Sequence, residues 1–245
     1  MIRTLWVGLA AVVLTIWYGT PILFSRALRL DSLPDRCWDN PRRWARAILR
    51  AAGVRVELDG VEHLGEDSAQ VLVANHESWF DVLALAGYLP VDYRFVAKKE
   101  LARVPVFGPA WRACGHIAID RRDQQAAIEA LERARREVHD RPLTIVMYPE
   151  GTRTPDGELL PFKKGAFVLA IQVGVPVVPA GIVGARAVMP KGSFRIRPGT
   201  LRIRIGEPLQ TEGLVMKDRD ALTLRARDAV KALRRPLPSD AVKRP

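Results

Sequence analysis

The chain opens on a long apolar run. Leu5 to Phe24 carries no charged residue and is built mostly of Leu, Val, Ala, Ile and Trp. Twenty helical residues at about 1.5 Å each would cross the roughly 30 Å hydrocarbon core of a bilayer. Gly19-Thr20-Pro21 interrupts the run near its end, so the straight helix is predicted to stop near Tyr18, short of a full span. A cleaved signal peptide is the rival reading. No small-x-small site follows, however, and the run leads into Phe24-Ser25-Arg26. Membrane attachment is therefore preferred.

A second amphipathic segment follows. Asn40-Pro41 reads as an N-cap with proline at the first helical position. At 100° per residue, Trp44, Ala45, Ile48, Leu49 and Ala52 share one arc, with Arg42, Arg43, Arg46 and Arg50 opposite. Two readings fit: an interfacial helix with its arginines at the headgroups, or a surface helix packed on the domain. Beside an apolar helix the first is preferred, as a hairpin dipping into one leaflet. The basic residues from Arg26 to Arg50 place that side in the cytoplasm.

From Gly53 onward the periodicity changes. Strands are predicted at 54–58, 71–74, 93–97, 117–119, 143–147 and 177–183, and helices at 79–88, 123–138, 166–173 and 221–233. Residues 194–205 read as a hairpin turning at Pro198-Gly199. Strands alternating with helices predict an α/β fold with a largely parallel or mixed central sheet flanked by helices, behind an N-terminal membrane-attached helical segment. Three parts follow: membrane-associated helices over 1–52, a globular domain over 53–235, and a flexible tail over 236–245.

Composition narrows the partners. Of 245 residues 48% are hydrophobic, enough for a sizeable core. Lys plus Arg is 38 against 27 for Asp plus Glu, a net charge of +11, which favours anionic partners. Cys37 and Cys114 cannot build a disulfide framework, a single bridge between them is possible but not indicated, and the four histidines are scattered without zinc-ligand spacing. The alternating arginines Arg195, Arg197, Arg202 and Arg204 would suit nucleic acid, but Phe194 alone offers no stacking platform. No nucleic-acid partner is expected.

Two polar clusters directly follow apolar strands, where ligands sit in parallel sheets. The first is Asn75-His76-Glu77-Ser78-Trp79-Phe80-Asp81. Histidine exchanges protons near neutral pH, and a carboxylate on its second nitrogen fixes the tautomer. Five residues on one helix are 140° apart, so the pair meets only if Ser78 is an N-cap with His76 outside the helix. Ser78 and Asp81 also fit a plain capping box. The second cluster is Pro149-Glu150-Gly151-Thr152-Arg153-Thr154, an anion-binding turn or an ordinary one. Lys98 and Arg121, in the basic stretch between, either complete an anion pocket or are solvated charges.

These residues resemble the glycerolipid acyltransferases, specifically the bacterial 1-acyl-sn-glycerol-3-phosphate acyltransferases. His76-x4-Asp81 after Asn75 is similar to the family's first motif. Lys98-Lys99-Glu100-Leu101 with Pro105, Gly108, Gly115 and Arg121 is similar to the second, Tyr148 to Arg153 to the third, and Val175 to Gly181 to the fourth. The resemblance implies transfer of a fatty acyl group from a CoA or acyl-carrier-protein thioester to the sn-2 hydroxyl of 1-acyl-sn-glycerol 3-phosphate, giving phosphatidic acid. His76 would be the general base and Asp81 its orienting carboxylate. Lys98, Arg121, Glu150, Gly151, Thr152 and Arg153 would hold the phosphate and glycerol. Val178 and Pro179 are candidates for acyl contact, or else core. No metal and no bound cofactor is expected; the thioester is a co-substrate. The expected place is the cytoplasmic face of a cell inner membrane, monotopic or single-pass, with phospholipid surface, lysophosphatidic acid and the thioester as partners. Two alternatives stay open: another lysolipid acceptor such as a lyso-ornithine lipid, and a non-catalytic protein binding anionic lipid.

Overall fold

A computed structural model describes residues 2–65, 68–120, 132 and 142–235. The helix predicted over 123–138, the tail over 236–245 and Arg121 lie outside the described residues, apart from Glu132.

The sheet has seven strands: β1 (Val54–Asp59), β2 (Gln70–Ala74), β3 (Tyr93–Lys98), β4 (Ile117–Ile119), β5 (Thr144–Met147), β6 (Val177–Val183) and β7 (Gly199–Ile205). Their order is β1-β7-β6-β2-β5-β3-β4. Strands β6, β2, β5, β3 and β4 run parallel, β7 reverses against β6, and β1 is parallel to β7. The central strands are buried on both faces, so β2 is apolar throughout apart from Gln70. Side chains alternate across it. Leu72 and Ala74 face one core with helices α2 (Leu33–Ala52) and α3 (Trp79–Tyr88). Val71 and Val73 face the other, with α5 (Gly165–Val173) and α7 (Arg219–Leu233).

Three local expectations are corrected. The first helix, α1 (Ile2–Ala27), continues through Pro21. Proline removes one intrahelical donor, and α1 is supported there from outside: Asn40 Nδ2 donates to the Tyr18 carbonyl at 2.9 Å. Gly19 lets α4 (Phe107–Ala113) approach, since a Cβ there would stand 2.7 Å from Val106 Cγ1. Asn40 therefore does not start a helix. Helix α2 begins eight residues before Pro41, after Ser32, with a proline in its first turn. The hairpin over 194–205 is likewise absent. Only β7 forms, because the backbone N–H groups of Ile196 and Arg197 are taken by Thr4 Oγ1 and the Val188 carbonyl, and Pro198 has none.

The arginine arc of α2 is also only half a solvated face. Arg42 is buried, stacks on Trp38 and Tyr93, and donates to the Leu89 and Val91 carbonyls beyond α3; burial holds its pKa below the ordinary value. Arg46 donates to the Gly87 carbonyl at 2.5 Å. Both thus cap the C-terminal end of α3. Ala45, Ile48, Leu49 and Ala52 enter the same core as β2, β6 and β7, so α2 is a packed helix continuous with the domain. Cys37 and Cys114 form a disulfide between α2 and the end of α4.

Helix α1 remains largely uncovered. It is long and apolar enough to cross a membrane. Leu5, Trp6, Leu9, Val12, Val13, Ile16 and Trp17 are all exposed. A patch of that size is the kind buried in lipid or against a partner. The opposite flank is tied to the domain from end to end, by Arg3 to the Ala52 carbonyl, Trp44 Nε1 to Thr15, and Ile22 against Cys114.

Candidate active site

The carboxyl end of β2 runs into a loop and then α3. Ser78 is the N-cap of α3 in an extended conformation, its Oγ accepting the Phe80 N–H, and Asp81 stands at the third helical position. Asp81 Oδ2 accepts the N–H groups of Glu77 and Ser78 at 2.6 and 2.7 Å, completing a capping box. The same oxygen lies 3.0 Å from His76 Nδ1. An oxygen already charged and fixed by two N–H donors takes a third, so Nδ1 carries the proton and Nε2 is left basic. Asp81 is fully buried, while the His76 ring reaches the surface. The cap and the histidine-carboxylate dyad are thus one structure.

The loop after β5, the strand beside β2, supports this arrangement. The Tyr148 ring stacks on His76 with centroids 4.2 Å apart. Its hydroxyl is pushed well above the usual phenol pKa by burial and by Asp81, and stays neutral. Glu150 is buried, and its two oxygens accept the His76 and Leu160 N–H groups at 2.6 and 2.9 Å. Both faces of that carboxylate are committed inward. Glu150, expected among the phosphate-binding residues, therefore positions the His76 backbone. Burial raises its carboxyl pKa, opposed by those two N–H donors. The Thr154 N–H bonds to the His76 carbonyl at 2.9 Å, clamping the loop from the other side.

Cations gather on the outer side of this turn. Arg153 lies 5.1 Å over the Trp79 ring and has no carboxylate partner among the described residues. Gly151 has φ +72°, and a Cβ there would stand 2.9 Å from Lys163 Cε. Lys191 Nζ donates to Thr152 Oγ1 at 3.3 Å. Gly151, Thr152 and Arg153 are thus brought beside His76, joined by Lys163 and Lys191. The sequence pattern singles out neither of those two lysines nor the stacking role of Tyr148.

Other expected residues fall elsewhere. Lys98 ends β3, two strands from β2 and so about 10 Å to the side, where it pairs with Glu100 at 3.0 Å. Val178 lies level with Leu72, inside the sheet, and is wholly buried in the core. The Pro179 carbonyl accepts the Gly206 N–H. Both are core positions rather than walls of the site. Among the described residues no cluster of three or more His, Cys, Asp or Glu could hold a metal.

The α/β sheet thus carries at its strand ends a histidine-aspartate pair beside a turn whose Arg153 has no carboxylate partner among the described residues, the kind of arrangement found in enzymes that act on anionic substrates. Residues 55–183 match the Acyltransferase family, and the chain belongs to it. It is similar to 1-acyl-sn-glycerol-3-phosphate acyltransferase of Limnanthes alba, 36% identical over 67% of this chain and 58% of that protein. It is also similar to 1-acyl-sn-glycerol-3-phosphate acyltransferase alpha of Homo sapiens, 34% identical over 77% of this chain and 66% of that one. The chain thus spans less than two thirds of the length of these relatives. The crystal structure of the 1-acyl-sn-glycerophosphate (LPA) acyltransferase PlsC from Thermotoga maritima superposes with a TM-score of 0.80 at 27% identity, covering 94% of both chains.

Proposed function

We propose that this protein transfers a fatty acyl group from a CoA or acyl-carrier-protein thioester to the sn-2 hydroxyl of 1-acyl-sn-glycerol 3-phosphate, giving phosphatidic acid. The observation that carries this reading is the dyad, His76 Nδ1 at 3.0 Å from a fully buried Asp81, next to a cationic turn. The activities for which the relatives are named point to the same acceptor. In the proposed step, His76 Nε2 takes the proton of the acceptor hydroxyl as its oxygen attacks the thioester carbon. The C–S bond then breaks, and the departing sulfur takes that proton from the imidazolium. Asp81 holds the ring and stabilises its charged form; a positioned base contributes on the order of 10²–10⁴ in rate. Arg153, Lys163 and Lys191 neutralise the acceptor phosphate, with Thr152 offering a hydroxyl donor and Gly151, whose N–H bonds to the Tyr148 carbonyl, shaping the turn.

The acceptor is a lipid, and α1 supplies the apolar surface on which to meet it. Because α1 is tied along its length to α2 and α4, we infer that it lies in one leaflet, with the domain on the cytoplasmic face of an inner membrane.

The test is direct. Detergent-purified protein is incubated with 1-acyl-glycerol 3-phosphate and acyl-CoA or acyl carrier protein, following thiol release and lipid product by mass spectrometry. Phosphatidic acid matching thiol release, lost in His76→Ala, is the expected result. Turnover only with another lysolipid would overturn the acceptor, and no turnover with any lysolipid or either thioester would overturn the reaction.

A further inference from the structure

The loop that carries His76 is held by the far end of the chain. Glu77 Oε1 accepts Arg234 Nη2 at 2.6 Å, across 157 residues of sequence, and Asn75 Nδ2 at 3.3 Å. Arg234 follows α7 directly and also donates to the Gly157 carbonyl, in the segment after the Arg153 turn. Both charged side chains are mostly buried, 19% exposed for Arg234 and 8% for Glu77.

The sheet is shaped to deliver Arg234 there. A Cβ on Gly181 of β6 would stand 2.6 Å from Leu233 Cβ and 2.8 Å from the Leu233 carbonyl carbon. A Cβ on Gly206 would stand 2.9 Å from Leu233 Cδ1. Two glycines thus open the slot that seats Leu233, and Arg204 Nη1 donates to the Leu233 carbonyl at 3.0 Å. An ion pair between surface side chains would mean little. This one is buried, fixed at its backbone, and one residue from the base.

Its charge has a definite consequence. The Glu77 N–H is itself a donor to Asp81, and the two carboxylates repel each other, as burial and Asp81 both raise the Glu77 carboxyl while Arg234 lowers it. We propose that Arg234 is a positioning residue of the acyl-transfer site: its guanidinium neutralises Glu77, leaving Asp81 as the uncompensated carboxylate in contact with the His76 ring, while Glu150 holds the His76 backbone N–H. This rests on the reading of His76 as the base. Removing Arg234 leaves a second negative charge beside the imidazole and favours the imidazolium. Removing Glu77 leaves an unpaired positive charge and disfavours it. The other groups facing these side chains are Asp81 of α3, Tyr148 and Glu150 after β5, Arg153 over Trp79, and Arg186 of the short helix α6 (Ala185–Val188). All of them are retained in the variants below.

The experiment uses full-length protein in detergent, with Arg234→Gln, Glu77→Gln and the double variant. The readouts are the nitrogen-15 NMR titration of the His76 ring, assigned against His76→Ala, and the acid limb of kcat/KM. Arg234→Gln should raise both midpoints by about half a pH unit or more, Glu77→Gln should lower them, and the double variant should return close to the wild type. In Arg234→Gln kcat should fall about tenfold with KM for either substrate within about twofold, and Arg234→Lys should recover most of it. Midpoints that do not move, or that move in the same direction in both single variants, would make the ion pair a purely structural tie and overturn the proposal. If Arg234→Gln fails to fold, Glu77→Gln alone decides by the sign of its shift. The ring titration needs no turnover, so an inactive wild type overturns the acyltransferase reading separately.

Discussion

Replacing Glu150 by Gln keeps the side-chain shape and removes its charge. The carboxylate accepts the His76 and Leu160 N–H groups at 2.6 and 2.9 Å. A hydrogen bond to a charged group contributes about 1.5–3 kcal/mol. Gln accepts one N–H with its oxygen but turns an NH2 group toward the other. One bond is lost, and a buried donor left unpaired costs a further ~1–3 kcal/mol. Against this, burial of the carboxylate is itself unfavourable, as its raised pKa records, and Gln escapes that penalty. The net loss should be about 2 kcal/mol, read as a lower urea midpoint in detergent. The sign with pH follows. A carboxyl raised in the fold binds its proton more tightly there than in the unfolded chain. Wild-type stability therefore rises as pH falls from the raised value toward the ordinary one, and the Gln variant lacks that rise. For catalysis, the His76 backbone loses its anchor, so kcat should drop about 10- to 100-fold while acceptor KM stays within about threefold. An acceptor KM raised more than about tenfold at unchanged kcat would refute the positioning role and return Glu150 to substrate binding.

Two further predictions follow from neighbouring groups. His116 Nδ1 accepts the Phe95 N–H at 3.0 Å, its ring stacks on Trp111, and burial followed by Arg94 pushes its pKa down to about 3. The unfolded chain takes up that proton below about pH 6.5 and the fold does not, so stability is lost as pH falls, by about 2 kcal/mol at pH 5. His116→Gln should flatten this part of a Tm-against-pH curve, and an unchanged slope would exclude His116 as the cause. Arg153→Ala and Lys191→Ala should each raise acceptor KM about tenfold with a smaller change in kcat; a raised donor KM instead would assign these cations to the thioester's phosphates.

The α/β alternation could be read in the sequence because each central strand is a short apolar run and each helix keeps a helical period. Strand β2 and helix α3 lie where the pattern puts them. The failures share a cause: the partner that satisfies a backbone group was distant. Pro21 looked like a terminator because nothing local announced Asn40 reaching across from α2. Arg42 and Arg46 looked like headgroup ligands because their real acceptors are carbonyls 41 to 49 residues on. Both arms of the false hairpin alternate well, yet the N–H groups of the first arm go to α1 and α6, while the second joins the sheet as β7. At the site, residue types and order were legible, but whether Glu150 faces substrate or backbone depends on which donors surround it, and spacing does not report that.

The spacing of the dyad has a physical reason of its own. Four intervening residues would put His and Asp 140° apart on a helix, yet here they meet, because only Asp81 is helical. With Ser78 as N-cap, Asp81 is the third helical residue, the position whose side chain folds back over the preceding loop. His76 is then the second residue before the cap, where the loop returns its ring to the same oxygen. One residue fewer would place the histidine directly before the cap. One more would carry it beyond the reach of an Asp whose Oδ2 is already pinned by the Glu77 and Ser78 N–H groups. The cap and the histidine-aspartate pair are therefore not competing explanations of the motif. The cap's geometry sets the distance, and the buried charge that completes the cap also orients His76. Asp81→Asn should accordingly cost helix stability and turnover together, whereas Ser78→Ala, which removes the hydroxyl while leaving the Asp81 contacts, should cost mainly stability.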